Sequence, residues 1–205
     1  MESKEIELTL ITEMLGTVPK NKEIYQSFIV SKATSKGIEV DEKEELETIE
    51  EIAEKGWTGF HQDGEGIFIY DYLIKGNIKA NLETLIMAES IKKIPAYKSA
   101  VDRVLFVYPR RLRMFNENGL LDKAGDIIER PIRAMTMKGP RISLTKSDTV
   151  PKGTKLKFEI KLLPNPKITW NEIEQALSYG EFYGLGQWRG SGGYGRYLWE
   201  YVKVG

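Results

Sequence analysis

The chain has 205 residues, of which 41% are hydrophobic and 29% charged, the balance of a globular protein with a real core rather than of a disordered or fibrous one. Thirty basic residues offset thirty acidic ones, so net charge by itself argues for no nucleic-acid partner. Cysteine is absent, which excludes disulfides and thiolate metal sites and fits a reducing cytosol.

No apolar run approaches the roughly 20 residues that a membrane-spanning helix needs. The opening MESKEIELTL lacks the shape of a signal peptide. A cytoplasmic location without a membrane partner is therefore expected, with residues 1–205 forming a single domain.

Residues 6–15, IELTLITEML, alternate and are rich in β-branched side chains, which predicts an opening strand. Over 18–37, Ile24, Phe28 and Ile29 stand at helical spacing ahead of Gly37, and a helix is predicted there. A second helix is predicted over 41–56, with Leu46, Ile49, Ile52 and Ala53 as its apolar stripe and Gly56 as its stop. Segment 58–76 predicts a hairpin that turns at DGEG. A third helix is predicted over 77–94, capped by Asn77 and stopped by Pro95.

Beyond residue 100 the pattern turns to β. RVLFVYP, RRLRMF, IIERPIRAMTM and RISLTKSD read as short strands separated by Gly, Asn and Pro. KLKFEIKLLP (155–164) puts Leu156, Phe158, Ile160 and Leu162 on one face and charges on the other. TWNEIEQALSYG (169–180) opens with the capping-box pair Thr169 and Glu172, carries the stripe Trp170, Ile173, Ala176 and Leu177, and ends at Gly180, which suits a left-handed position after a helix. YGRYLWEYV closes as a strand. Strand, capped helix, glycine-rich loop and strand form a β-α-β half-unit of the ferredoxin-like kind.

Charge is distributed unevenly. The first hundred residues hold no arginine, and all nine lie beyond that point. Residues 39–65 carry eleven acids against Lys43 and Lys55, whereas 98–157 carry fourteen bases against six acids. Such asymmetry suggests one face built for anions and another kept from them. Solvated acidic helix faces and scattered surface bases would give the same count.

The loop GLGQWRGSGGYGRY (184–197) mixes glycine with Trp, Arg and Tyr, which a merely flexible connection does not need. Glycines let a backbone approach a ligand and turn successive N–H groups to one side. Arg189 and Arg196 add forked donors suited to phosphate. Trp188 and Tyr194 offer flat faces for unpaired bases, with Gln187 beside them. The stretch follows a helix and enters a strand, so it is no dinucleotide fingerprint, and without a Gly-Lys-Ser/Thr ending it is no P-loop.

The G-h-G…G-h-G-R form of this loop resembles the glycine-rich loop of the RAMP superfamily, the ferredoxin-like RNA-binding proteins of CRISPR systems. SDTVPKGTKLKFEIKLLPN resembles that superfamily's Pro-x-Gly-Thr segment and following strand, and IERPIRAMTMKGPRISL resembles its central strand pair. The resemblance covers residues 128–203. It implies an α+β, ferredoxin-like (RRM-like) RAMP-type core with an antiparallel sheet, to which the acidic helix and hairpin of 38–65 would be an insertion. It also implies that Gly184, Gly186, Gly193, Gly195 and Arg196 approach an RNA backbone, and that Arg130, Arg133 and Arg141 extend the track.

The function expected is non-catalytic binding of single-stranded RNA or DNA, with other subunits of a ribonucleoprotein complex as partners and no cofactor. Two other readings stay open. A phage-related interaction protein could mimic or block a CRISPR-type complex through acidic helices bearing Glu44, Glu47 and Glu51. A metal-independent endoribonuclease could use His61, the single histidine, although a hairpin-packing role suits it better. No metal-ligand spacing occurs among the carboxylates, so no metal is expected.

Overall fold

Strand β1 (Glu2–Leu10) is followed by the short strands β2 (Met14–Leu15), β3 (Val18–Pro19) and β4 (Thr58–Gly59), and by the hairpin β5 (His61–Asp63) and β6 (Gly66–Tyr70). These come from a computed structural model that describes residues 1–20, 56–136 and 139–202, with 132–136 and 139–143 described by backbone alone. Helices α1 (Asp71–Met87) and α2 (Tyr97–Val104) come next, then β7 (Leu105–Tyr108), β8 (Arg111–Asn116) and β9 (Gly119–Leu120). A long hairpin, β10 (Ile127–Thr136) and β11 (Gly139–Val150), leads to β12 (Lys155–Leu162). Helix α3 (Trp170–Ser178), the single turn α4 (Gly180–Tyr183) and β13 (Tyr197–Tyr201) end the described chain.

The protein is α+β, and its strands form two sheets that are antiparallel except for one β11–β4 pairing. The larger sheet runs β13-β1-β12-β8-β6-β5, with β7 also on β12 and β9 on β8. The smaller runs β10-β11-β4-β3, with β2 on β11.

The period-2 reading of residues 155–162 holds residue by residue. Leu156, Phe158, Ile160 and Leu162 are buried, each at 5% exposure or less, and they face the core beneath α1 and α3. Across from them, Ile6 pairs with Phe158 and Leu8 with Leu156. Helix α3 buries the expected stripe of Trp170, Ile173, Ala176 and Leu177. At its start the Glu172 carboxylate accepts the Thr169 N–H at 2.8 Å.

Several expectations are corrected. Helix α1 begins at Asp71, not at Asn77, so the predicted hairpin ends six residues early. Asn77 is no cap: it sits mid-helix, 3% exposed, in a buried stripe of Ile74, Asn77, Ile78, Asn81 and Leu82 with i, i+3, i+4 spacing. Arg103 and Val104 belong to α2 rather than to a strand. Gly180 opens α4 instead of taking a left-handed position, and its backbone lies against the Tyr197 ring. Val18 and Pro19 form a strand. Residues 21–37 of the helix predicted over 18–37, and all but Gly56 of that over 41–56 with Glu44, Glu47 and Glu51, lie outside the described residues.

Candidate nucleic-acid interface

The glycine-rich loop is clamped at both ends. Asn77 Nδ2 donates to the Gly184 carbonyl at 2.7 Å, and Leu185 N–H donates to the Gly195 carbonyl at 2.8 Å. Gly195 N–H donates in turn to Glu13 O at 2.7 Å. Thr12 completes the clamp: its Oγ1 accepts the Arg196 N–H at 2.9 Å and donates to Gly193 O at 3.0 Å.

The two limbs of the loop therefore run backbone to backbone, and glycine is needed for that closeness. A Cβ on Gly195 (φ +69°) would lie 1.8 Å from the Leu185 carbonyl oxygen, and one on Gly184 (φ +82°) 2.4 Å from that of Tyr194. Gly186 is buried beside Leu15 O and the Met14 side chain.

This geometry bears on the expected amide cradle. The N–H groups of Gly184, Gly193, Gly195 and Arg196 are all engaged within the protein, so those four amides are already committed. Arg189 Nη1 donates to Gly186 O at 3.1 Å, and its guanidinium lies 5.3 Å from the Tyr183 ring centroid. Arg196 is half-buried, with Nε enclosed and unpartnered.

Trp188 and Tyr194 converge on a residue from a distant part of the chain. The Arg130 guanidinium of β10 lies 4.2 Å from the Trp188 ring centroid and 5.7 Å from that of Tyr194. Arg130 is 8% exposed, whereas Trp188 is 43% exposed.

Arg130 Nη2 donates to Ser147 Oγ at 3.0 Å, Ser147 Oγ lies 2.9 Å from Thr58 Oγ1, and Thr58 Oγ1 donates to Gln187 Oε1 at 3.3 Å. Since Thr58 spends its proton on Gln187, Ser147 must donate to Thr58. A polar relay thus joins β10, β11, β4 and the loop. Burial holds the Arg130 pKa below its usual value, against the opposing influence of the Tyr194 hydroxyl. Ser147 and Thr58 were not singled out in the sequence, where neither residue carries a local signal.

Arg133 stands opposite Ile142, and Arg141 opposite Ala134, toward the far end of the β10–β11 hairpin; only their backbone is described. His61 is 7% exposed in β5, stacked on Phe68 at 5.4 Å and edge-on to Tyr70 at 4.6 Å. It borders a cleft of about 430 Å³ shared with Lys20, Tyr70 and Arg111. The imidazole pKa is lowered, by burial first and by the Arg111 charge second.

The basic tract after residue 100 is largely committed to carboxylates. Arg111 and Arg113 point together, as strand alternation predicts, and both pair with Asp63, at 2.7 Å and 2.6 Å. Arg113 also reaches Glu65 at 2.8 Å, and Arg110 pairs with Asp71 at 2.9 Å. Among the described residues no group of three or more His, Asp or Glu side chains is placed to hold a metal ion, and no helix is long and apolar enough to cross a membrane.

No protein-family model matches the chain, and no curated protein matches it. Among solved structures it is similar to a chain in a cryo-EM structure of a type III-B Cmr-β complex bound to cognate target RNA, with a TM-score of 0.43 and 14% identity. That similarity covers 98% of this chain, which spans 60% of the length of the other.

Proposed function

We propose that the protein binds single-stranded nucleic acid, RNA in particular, without cleaving it, and that it does so as a RAMP-type subunit of a CRISPR-like ribonucleoprotein complex. The observation that carries this reading is the convergence of Arg130, Gln187, Trp188 and Tyr194, drawn from two separate parts of the chain onto one site. Arginine with flat aromatic faces is the chemistry that holds phosphates and stacks unpaired bases. Arg189 and Arg196 flank the site on the same loop, and Arg133 and Arg141 would lengthen the track along the hairpin.

The order of elements supports the ferredoxin-like part of the reading. Taking β1, β7, β12 and β13 as the four core strands, their sheet order is fourth, first, third, second. Helix α1 falls between the first and second of these strands and α3 between the third and fourth, which is the βαββαβ pattern. The β10–β11 hairpin is then an insertion between the second and third strands.

The test is fluorescence anisotropy with labelled single-stranded RNA and DNA at two salt concentrations, for the parent and an Arg189→Ala/Arg196→Ala double variant. Binding that weakens with salt, and weakens further in the variant, is expected from phosphate contacts. A parent protein that binds neither oligonucleotide at low salt overturns the reading.

A further inference from the structure

We propose that Arg130 is the phosphate-holding residue of this interface and that Trp188 is its lid, closed over the guanidinium in the free protein and stacked on a base in the bound one. The inference rests on the nucleic-acid reading above and assigns which atoms would take the ligand. Its starting point is an anomaly. Arg130 is 8% exposed, yet Nε and Nη1 are both enclosed and without an acceptor, while Nη2 alone has one, in Ser147. Buried donors without acceptors are rare because a buried charge carries a large desolvation cost.

The Trp188 and Tyr194 rings face the cation. Ring faces offset part of the charge's burial through cation–π attraction, but they supply no acceptor for Nε and Nη1. A phosphodiester oxygen would meet them, since guanidinium donors match phosphate in geometry and charge.

Trp188 bears the marks of a movable cover. It adopts a left-handed backbone conformation (φ +53°), which aromatic residues rarely hold without a compensating contact. It lies between Gly186 (φ +88°) and Gly190 (φ +67°), and it is 43% exposed although the guanidinium lies against its ring. A ligand that only supplied an anion would have to break the Trp188–Arg130 contact without replacing it. An unpaired nucleotide replaces both halves: its phosphate goes to Arg130 and its base to the displaced indole.

The experiment uses full-length protein labelled with 5-fluorotryptophan, which gives one fluorine resonance for each of four tryptophans; Trp188→Phe identifies the resonance of Trp188. Titration with octauridylate should move that resonance while those of Trp170 and Trp199 stay in place. An abasic oligomer of equal length, and inorganic phosphate, should move it far less. Arg130→Gln should weaken octauridylate binding by roughly tenfold or more, as loss of a charged hydrogen-bond donor does, with its circular dichroism and melting profile confirming that it is folded. If the RNA binds while the Trp188 resonance stays fixed, the lid is overturned and the binding reading survives. Equal affinity of folded Arg130→Gln and parent overturns the role of Arg130. An absence of RNA binding by anisotropy overturns the reading on which both stand.

Discussion

The Tyr197 hydroxyl donates to Asn77 Oδ1 at 2.7 Å, tying the last core strand to the middle of helix α1. Asn77 Oδ1 also accepts from Asn81 Nδ2 at 3.2 Å, and Asn77 Nδ2 supports the Gly184 carbonyl. One buried amide therefore couples helix, sheet and the start of the glycine-rich loop. Asn77→Ala removes the partner of the Tyr197 hydroxyl and of the Gly184 carbonyl, and leaves Asn81 Nδ2 with the Ala176 carbonyl alone; leaving buried groups unpaired costs about 1–3 kcal/mol each. We expect a loss of about 3 kcal/mol for Asn77→Ala and about 1 kcal/mol for Tyr197→Phe, read as lower urea midpoints at an unchanged slope. Equal midpoints for Asn77→Ala and the parent would show that this strut contributes nothing.

Two glycines that look alike in sequence should respond in opposite directions to alanine. A Cβ on Gly180 would fall 1.9 Å from the Tyr197 ring, and that ring, 1% exposed and held by Asn77, cannot swing aside. Gly180→Ala should destabilise by about 3 kcal/mol, the upper part of the usual overpacking range. Gly76 lies inside α1 with nothing within 4 Å of its would-be Cβ. Gly76→Ala should stabilise by about 0.5–1 kcal/mol through helix propensity. Thermal melting of the two variants side by side tests both signs.

Where a single period governs a segment, as in β12 and α3, alternation and a capping pair located each buried residue in advance. Helix α1 hid its start because two of its five buried positions are asparagines, which a polarity pattern assigns to the surface or to a cap. Their partners, Gly184 and Ala176 carbonyls and Tyr197, lie about a hundred residues away, where no local rule reaches. The loop stands out as a candidate site by its composition alone. That Arg130 would lie under Trp188, or that Asp63 would neutralise Arg111 and Arg113, depends on strand pairings such as Phe68 with Arg113 that spacing alone does not encode.

Acid should remove a defined part of the stability. Asp63 is held well below its ordinary 3.8, chiefly by the Arg113 hydrogen bond. Glu7 is held below 4.5, first by its Lys155 hydrogen bond and against the opposing effect of burial. With depressed native values, the unfolded chain takes up protons before the folded one does. The contribution is therefore complete above the unfolded values, near pH 4, and is lost as pH falls through the native ones. The midpoint difference between the parent and an Asp63→Asn/Glu7→Gln variant should be constant above about pH 5 and shrink steadily below it. A difference that grew on acidification would reverse the assignment.

His61 should act in the same sense, but in a higher pH window. Its native value lies below 6.5 because burial and the Arg111 charge both disfavour the imidazolium. The unfolded chain therefore gains a proton that the folded one resists, so stability declines as pH falls from about 7 through 6. His61→Phe keeps an aromatic ring against Phe68 and Tyr70 and removes the titration, so its stability should be flatter over that window, whatever constant offset the substitution adds. Burial and the Arg111 charge also disfavour the protonated imidazole that a general acid needs. RNA incubated with the parent should stay intact, and His61→Phe should bind it with the parent's affinity and salt dependence. Cleavage by the parent that vanished in His61→Phe would instead make His61 a catalytic residue and the protein an endoribonuclease.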